Sequence, residues 1–203
     1  MMNNIIMKSL RGLTIVKSGC QDENLNIFYS DYDDGTRIIF RQPRKADSGK
    51  QRLARRDISY RNWERYRRPK VNQSIYDINT RCRIDLYRGE CPGYIPLTIE
   101  LDDTVVGFSD LFFNTGEYFK RFNIEPTDKC CNGSIVSLDK YRGIGVGTAY
   151  ATTSNAIARH FGCQFMVGRT FVKDGMRSIR AKENPPWEIV WTDGKVVDHK
   201  KRL

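Results

Sequence analysis

The sequence predicts an α+β fold in which a mixed, mostly antiparallel central sheet is flanked by helices. Two apolar runs, 95–101 and 104–113, are joined only by Asp102-Asp103, which is typical of an antiparallel hairpin. Farther along the chain, the apolar period changes abruptly from that of a strand to that of a helix across a glycine-rich turn, 142–148. With 203 residues and 39% hydrophobic content, the chain can bury one core, so we expect a single domain.

The first half of the chain predicts a hairpin, a helix and a short strand. In 26–42, two aromatic and β-branched runs lie on either side of Asp33-Asp34-Gly35, a sequence that favours a hairpin turn. Residues 46–68 have helical composition and are followed by Pro69, which ends a helix. Apolar and polar residues alternate in 81–88, which indicates a strand.

The second half predicts one helix after the glycine-rich turn, with strands on both sides of it. The helical stripe runs from Tyr150 to Phe161, and Gly162 is a candidate for its C-terminal cap. The remaining elements in this half are strands at 134–138 and 165–172, a short helix at 176–184, and a closing hairpin of 188–191 with 196–200.

Most of the net charge of +10 is concentrated in one segment. Between Arg41 and Lys70 there are twelve Lys and Arg residues against three acids, a local balance of +9. Such a surface can follow a phosphate backbone or recruit an acidic protein. Alternatively, the segment is an amphipathic helix whose aromatics pack inward while its arginines are solvated. The candidate acceptor or partner contacts in this basic segment are Arg55, Arg56, Tyr60, Trp63, Arg65 and Arg67.

Composition argues against a membrane protein and against a zinc protein. No run of eighteen apolar residues exists, and Asn, Lys and Arg interrupt the start of the chain, so we expect a cytoplasmic protein without a membrane partner. The six cysteines form no Cys-x-x-Cys, and with only two histidines we expect no metal site. Cys130 and Cys131 are adjacent, which permits a metal or redox role, although ordinary packing is the expectation.

The turn at 142–148 contains the strongest functional signal. Backbone amides at the start of a helix favour an anion, and glycines let that anion approach closely, so the turn indicates phosphate binding. The glycine spacing does not fit a dinucleotide fingerprint, because Thr148 or Tyr150 occupies the third position. The Gly-Lys-Ser/Thr ending of a nucleoside-triphosphate loop is missing as well. A tight strand-to-helix connection that binds nothing is the structural alternative.

A resemblance to a known family rests on this turn and on the segments around it. Arg142, Gly145 and Gly147 meet the pattern Arg/Gln-x-x-Gly-x-Gly/Ala. With the strand SIVSL before the turn and the alanine-rich helix after it, this segment resembles the acyl-coenzyme-A (acyl-CoA) binding core of the GNAT superfamily of N-acetyltransferases. The hairpin PLTIELDDTVVGFSDL is similar to that family's second and third strands, and GMRSIRAKENPPWEIV is similar to its last helix and the following strand.

The resemblance implies a GNAT-like acyl-CoA N-acyltransferase fold that occupies 1–203 as one domain. An N-terminal extension (1–25) would be followed by the first hairpin and a basic, helical acceptor-side region (26–94). The acyl-CoA-binding core and the C-terminal hairpin would then fill 95–203.

The resemblance also implies which residues bind the co-substrate, acetyl-CoA. The backbone of one strand would pair with the pantetheine arm where this strand diverges from 165–172, and a backbone amide there would polarise the thioester carbonyl. The amides of the turn would hold the pyrophosphate. The residues so implied are Val136, Ser137, Leu138, Arg142, Gly143, Ile144, Gly145, Val146, Gly147 and Thr148.

The catalytic groups are less well defined by the sequence. Asp110, Glu117 and Asp139 are candidate bases for the amine, each with the alternative of being a solvated or capping carboxylate, and Ser137 is a further candidate catalytic residue. The Asn and Tyr that the family often places near its last helix are missing at 174–175 and 181–183.

Three functions follow as hypotheses. The first is an N-acetyltransferase that transfers an acetyl or other small acyl group to a primary amine of an acidic or phosphate-bearing acceptor, because the basic segment would line the acceptor side. The second is a nucleic-acid-binding GNAT-like protein without turnover, which the missing Asn and Tyr favour. The third is a GNAT-type enzyme that modifies a nucleic-acid base.

Overall fold

The computed structural model describes residues 9–22, 27–47, 49–50, 93–171 and 186–203, together with Arg180 and Glu183. Within these residues, the strands are β1 (Ile15–Asp22), β2 (Ile27–Tyr32), β3 (Arg37–Arg41), β4 (Tyr94–Leu101), β5 (Thr104–Thr115), β6 (Lys129–Ser137), β7 (Phe165–Phe171), β8 (Glu188–Thr192) and β9 (Val196–Arg202).

These strands form one nine-stranded sheet in the order β1-β2-β3-β4-β5-β6-β7-β9-β8. Among the described pairs, β6 and β7 run parallel and all other neighbours run antiparallel. A parallel pair needs a crossover, and the helix α1 (Val146–His160) provides it. The predicted mixed, mostly antiparallel sheet is therefore confirmed.

The β4–β5 hairpin is confirmed as predicted. Leu101 pairs with Thr104, so Asp102 and Asp103 form a two-residue loop, and their φ angles are 48° and 57°. Positive φ at both central positions is the type I′ conformation that fits the twist of a hairpin, and Asp tolerates it better than most residues.

The N-terminal extension contains a strand to which the sequence analysis assigned no element. β1 pairs with β2 at the edge of the sheet, and its side chains are partly or fully exposed, so its composition lacks a clear apolar alternation. Before this strand, Leu10 is only 4% exposed and belongs to the main core. The described part of the extension, 9–22, therefore packs with the rest of the sheet and core.

The helix α1 packs one face against the sheet. Its buried residues include Tyr150 and Ile157, and the Thr153 hydroxyl lies 2.6 Å from the hydroxyl of Ser30 on β2. At its end, Cys163 N–H donates to the Ala158 carbonyl and Gly162 N–H donates to that of Arg159, with Gly162 at φ 73°. This is a Schellman motif, so the predicted glycine cap is confirmed.

β6 is longer than the predicted strand at 134–138. It begins at Lys129 and pairs with β5 over nine positions, from Thr115↔Lys129 to Gly107↔Ser137. The first residues of β6 include Asn132 and Gly133, which have low strand propensity. Pairing with the long neighbour β5, rather than local preference, therefore determines where β6 begins.

A buried ion cluster lies where the chain leaves β3. Arg41 Nη1 donates to Asp47 at 2.8 Å, and Arg41 also pairs with Glu100 on β4. The Arg44 backbone N–H and the Thr98 hydroxyl donate to the same Asp47 carboxylate, at 2.7 and 3.2 Å. Burial alone would raise the pKa of Asp47, but the hydrogen bonds from Arg41 and Arg44 lower it below its ordinary value. This cluster attaches the start of the basic segment to the sheet.

Several predicted elements lie wholly or mostly outside the described residues. Gly49 and Lys50 are helical, but the rest of the predicted helix at 46–68 lies beyond them, as does the strand at 81–88. Of the predicted helix at 176–184, only Arg180 and Glu183 are described. In the described part of the chain, no helix is long and apolar enough to cross a membrane.

Cys130 and Cys131 are free, buried thiols on opposite faces of β6, in two separate core clusters. Burial raises the pKa of Cys130 to about 12 and that of Cys131 well above its ordinary value. A thiol that stays protonated is a poor metal ligand and a poor nucleophile. The two cysteines therefore act as packing residues.

Candidate functional site

A cleft opens in the sheet between β6 and β7. These parallel strands pair only at Cys130↔Phe165, Cys131↔Met166 and Asn132↔Val167, although β6 continues to Ser137 and β7 to Phe171. Beyond Asn132 the strands diverge, as predicted for 134–138 and 165–172. The closed end of the cleft lies beside Asn132, and its open end lies beside the glycine-rich loop.

Alternate residues of β6 turn their backbone polar groups toward this cleft. Leu138 N–H donates to the Val106 carbonyl on β5, and the β5–β6 register has no irregularity. Because hydrogen-bonding direction alternates along a strand, Val136 and Leu138 face β5, whereas Gly133, Ile135 and Ser137 face the cleft. Of the predicted pantetheine contacts Val136, Ser137 and Leu138, only Ser137 therefore turns its backbone polar groups toward the cleft. Gly133 and Ile135, which were not predicted from the sequence, turn theirs the same way.

The glycine-rich loop forms the predicted connection from strand to helix. Gly143 has φ 77°, and Gly145, the N-cap of α1, has φ 109°. Both angles are strained for any residue with a side chain. Thr148 N–H donates to the Gly145 carbonyl at 3.0 Å, within the first turn. The backbone N–H groups of Gly143 to Gly147 thus lie at the N-terminus of α1, which carries a partial positive charge.

The N-terminal segment packs against this loop, which the sequence analysis did not predict. Leu10 N–H donates to the Ile144 carbonyl at 2.7 Å. A Cβ at Gly145 would lie 2.8 Å from Leu10 Cβ, and one at Gly143 would lie 2.9 Å from Arg11 Nη2. The two left-handed glycines therefore leave room for neighbouring protein groups, and the exposed Arg11 guanidinium lies at the N-terminal end of α1.

Arg142 begins the loop, as the motif requires. Its guanidinium lies 3.1 Å from the carboxylate of Asp139, and both side chains are about half exposed. An exposed pair of this kind is weak, so Arg142 remains able to exchange Asp139 for a phosphate. Asp139 is thereby placed as a loop carboxylate at the mouth of the cleft.

The other three candidate catalytic residues, Asp110, Ser137 and Glu117, occupy different levels of the sheet. Asp110 pairs with Ser134 at the level where β6 and β7 have just separated, and it is partly buried. Ser137 lies at the open end, beside the loop. Glu117 is exposed in the turn after Thr115, and Thr115 pairs with Lys129. Lys129 is eight residues before Ser137 on β6, a distance of about 26 Å along the strand. The structure thus brings Asp110, but not Glu117, to the inner part of the cleft.

Two glycines face each other at the closed end of the cleft. Gly133 on β6 and Gly168 on β7 take the register position directly after the last pair, Asn132↔Val167. A Cβ at Gly133 would clash with the hydroxyl of Tyr150, and a Cβ at Gly168 would clash with the guanidinium of Arg180. From its sequence position, Tyr150 was expected on the core stripe of α1. A glycine inside a strand, as at Gly133, is a signal that another group comes close to the backbone.

Tyr150 and Arg180 are both buried at this position, 5% and 7% exposed. Burial raises the pKa of the Tyr150 phenol above its ordinary value, and the positive charge of Arg180 partly opposes that rise. The phenol is therefore protonated at neutral pH and is able to donate a hydrogen bond.

The predicted acceptor contacts Arg55, Arg56, Tyr60, Trp63, Arg65 and Arg67 lie outside the described residues. Within the described ranges, no group of three or more His, Cys, Asp or Glu side chains is arranged to hold a metal ion.

Neither a family model nor a curated protein sequence matches this chain. Solved structures do. A GNAT-family acetyltransferase from Listeria monocytogenes is 12% identical, with a TM-score of 0.55 over 83% of this chain and 96% of that one. RimJ from Mycobacterium smegmatis, solved with a CoA-disulfide, is 14% identical, with a TM-score of 0.52 over 82% of each chain. The PaiA N-acetyltransferase from Thermoplasma acidophilum, solved with coenzyme A, is 12% identical, with a TM-score of 0.52 over 82% of this chain and 99% of that one.

These similarities extend over most of both chains, and they agree with the diverging parallel strands and the glycine-rich loop described above. At this level of identity they concern the fold. The chain has the fold of the GNAT superfamily of acyl-CoA-dependent N-acetyltransferases.

Proposed function

We propose that this protein is a GNAT-type N-acyltransferase that transfers a small acyl group, most simply acetyl, from acyl-CoA to a primary amine. The observation that carries the proposal is the separation of β6 from β7 directly before the loop at the N-terminus of α1. That arrangement supplies a strand edge for an extended thioester arm and an anion site at one end of it. Two neighbours of the same fold are complexes with coenzyme A or its disulfide.

In this proposal, the pyrophosphate of acyl-CoA binds the amides of Gly143 to Gly147, with Arg142 released from Asp139 to join it. The pantetheine arm runs from the loop along β6 and hydrogen-bonds to the backbone of Ser137 and Ile135. The thioester then lies near Gly133, at the closed end of the cleft. A backbone N–H of β6 facing the cleft polarises the thioester carbonyl and stabilises the oxyanion of the tetrahedral intermediate.

Catalysis then depends on positioning and on removal of a proton from the amine. An amine with the pKa of lysine is about 99% or more protonated near pH 7, so a base is needed before it can attack. Asp110 suits this role better than Glu117, because it lies at the level of the thioester. It also lies on the face of the sheet opposite Tyr150, since neighbouring residues of β5 and β6 alternate between faces. The amine would therefore approach from the face opposite α1.

For the acceptor, we propose an acidic or phosphate-bearing amine. The support is the charge of the basic segment, twelve Lys and Arg against three acids between Arg41 and Lys70. The buried cluster of Arg41, Asp47 and Glu100 attaches the start of this segment to β3 and β4, on the β5 side of the cleft. A nucleic acid, a nucleotide or an acidic protein surface would each match this charge.

Calorimetric titration with acetyl-CoA tests the proposal directly. We expect saturable binding in the micromolar range, and weaker binding of pantetheine, which lacks the pyrophosphate that the loop holds. Absence of binding at millimolar acetyl-CoA would exclude the enzymatic function. It would favour the second candidate, a nucleic-acid-binding protein without turnover, for which the same basic segment is the supporting observation.

A further inference from the structure

The closed end of the cleft is lined by two polar side chains that come from outside β6 and β7. The Tyr150 phenol, from α1, lies over Gly133, and the Arg180 guanidinium lies over Gly168. These two glycines occupy the next register position after Asn132↔Val167. Each glycine makes room for one polar group, so the two groups meet the cleft at the same level and from the same face as α1.

The protein holds both groups firmly in place. The Arg180 guanidinium stacks on the ring of Trp187, 4.3 Å from its centroid. Beside it, Glu183 accepts hydrogen bonds from Asn155 of α1 at 3.0 Å and from Lys201 of β9 at 2.6 Å. The Tyr150 hydroxyl and Leu111 both lie against Gly133, and Leu111 Cδ2 would lie 2.7 Å from a Cβ there. Neighbouring groups of this kind fix the orientation of buried polar side chains.

We propose that the Tyr150 hydroxyl and the Arg180 guanidinium bind the sulfur of coenzyme A and stabilise its thiolate form. This assignment rests on the proposed function, because acyl-CoA binding places the sulfur at the closed end of the cleft.

The step is balanced without any further reactant. The amine nitrogen forms a bond to the acyl carbon, the carbon–sulfur bond breaks, and its electron pair goes to sulfur. The proton lost by the amine passes to the solvent. Tyr150 donates a hydrogen bond and keeps its proton, since burial makes it a weaker acid than a free phenol. The positive charge of Arg180 offsets the cost of placing a thiolate in a buried site.

A thiol buried in a protein without such partners has a pKa above its usual value of about 8.5. The proposal therefore gives a signature that needs no knowledge of the acceptor: the pKa of the thiol of bound coenzyme A. It is measured from the ultraviolet absorbance of the thiolate during pH titration of the complex, with the titration of the protein alone subtracted. We expect a value below that of free coenzyme A in the wild-type complex.

The variants are Tyr150→Phe, which removes only the hydroxyl, and Arg180→Gln, which removes the charge. Each should raise the thiol pKa by about one pH unit or more, the size of one lost hydrogen bond to a charged group. Tyr32→Phe is the matched control. Tyr32 is also a buried tyrosine, 3% exposed, whose burial raises its pKa to about 12, but it lies on β2, away from the cleft.

The outcomes distinguish thiolate stabilisation by Tyr150 and Arg180 from acyl-CoA binding itself. If wild type binds coenzyme A but its thiol pKa is the same in wild type, Tyr150→Phe and Arg180→Gln, the assignment is overturned while the proposed function stands. If wild type does not bind coenzyme A, both fail. If Tyr150→Phe has a melting temperature far below that of Tyr32→Phe, the test depends on the arginine variants. Arg180→Gln should then raise the thiol pKa, and the charge-conserving Arg180→Lys should return it most of the way to the wild-type value.

Discussion

The hydroxyl of Tyr150 on α1 lies so close to Gly133 on β6 that no side chain could stand between them. The same missing Cβ lets Leu111 approach Gly133. At position 133 a side chain of α1 therefore packs directly on the backbone of β6, at the closed end of the cleft.

Replacement of Gly133 by alanine should displace Tyr150 and narrow the cleft. Both neighbours are buried, so we expect a loss of about 1–3 kcal/mol of unfolding free energy and at least a tenfold weaker affinity for acetyl-CoA. Urea unfolding and calorimetry measure the two effects. Gly49→Ala is the control, because a Cβ at Gly49 has nothing within 4 Å. Should Gly133→Ala be as stable as this control, the contact between Tyr150 and Gly133 would be refuted.

A carboxylate in the first turn of α1 should separate binding from stability. Thr148 is exposed and lies in the first turn, so Thr148→Glu adds a negative charge beside the loop without touching the strained glycines. An acidic residue near a helix N-terminus is favourable by up to about 0.5 kcal/mol, so the melting temperature should stay the same or rise. The affinity for acetyl-CoA should fall at least tenfold, because the new charge repels the pyrophosphate.

The matched control for this change is Thr152→Glu, one turn farther along the same exposed face. It carries the same charge but lies away from the loop, so its affinity should be close to that of wild type. Equal affinity of the Thr148→Glu and Thr152→Glu proteins would mean that the phosphates bind elsewhere. Gly145→Glu should also abolish binding, but with a loss of stability, since φ there is 109°.

Arg11 should contribute a charge-assisted contact to the phosphates. Its guanidinium lies against Gly143, whereas the Arg142 guanidinium is paired with Asp139. Arg11→Ala should weaken acetyl-CoA binding about tenfold, and dephospho-CoA binding by the same factor, since both ligands share the pyrophosphate. Arg202→Ala, which removes an exposed arginine from β9, serves as the control. If the affinity falls for acetyl-CoA but not for dephospho-CoA, Arg11 contacts the 3′-phosphate instead. If neither affinity falls, Arg11 does not contact the phosphates.

Much of this site was predictable because its signals are local. The two-residue turn at Asp102-Asp103, the glycine-rich loop and the Gly162 cap each use backbone conformations that few residues adopt, so sequence alone located them. The order of strand, loop and helix then placed the cleft between the right strands.

The missed residues meet the site only through long-range packing. Arg11 and Tyr150 reach Gly143 and Gly133 from distant parts of the chain, and no periodicity in the sequence connects them. Glu117 shows the opposite error: it is near Asp110 in sequence, but an extended strand carries it away from the loop. Proximity along a strand is thus a poor guide to proximity in the cleft.

The buried pair of Arg41 and Asp47 should make stability depend on pH. Its hydrogen bonds hold the pKa of Asp47 below the ordinary 3.8. The stabilisation is therefore fully present above pH 3.8 and is lost as the pH falls through the lower, folded-state value. Asp47→Asn should cost about 2–3 kcal/mol at pH 7 in urea unfolding, and the difference from wild type should shrink progressively as the pH falls below about 4.

Asp31→Asn is the matched control for this pH dependence. It removes an aspartate that also pairs with an arginine, Arg37, at 2.6 Å, but on the exposed part of the sheet. An exposed pair contributes about 1 kcal/mol or less, so this variant should differ little from wild type at any pH. A similar cost for both variants would show that burial adds nothing at Asp47.

The charge of the basic segment should determine which acceptors the protein attracts. Replacement of Arg55, Arg56, Arg65 and Arg67 by glutamine removes four positive charges from it. If the segment contacts phosphates, affinity for a labelled single-stranded RNA should fall. The negative slope of log K against log salt should become shallower by about three. Fluorescence anisotropy at several salt concentrations measures both.

The control for that variant removes four positive charges elsewhere, at the exposed residues Lys120, Arg159, Lys195 and Arg202. Net charge alone would affect both proteins equally, since each loses the same number of charges; a contact surface affects only the first. RNA binding that is unchanged in the first variant would support the alternative in which the arginines are solvated on an amphipathic helix. The acceptor would then have to be recognised by the cleft itself, where Asp110 lies at the level at which β6 and β7 separate.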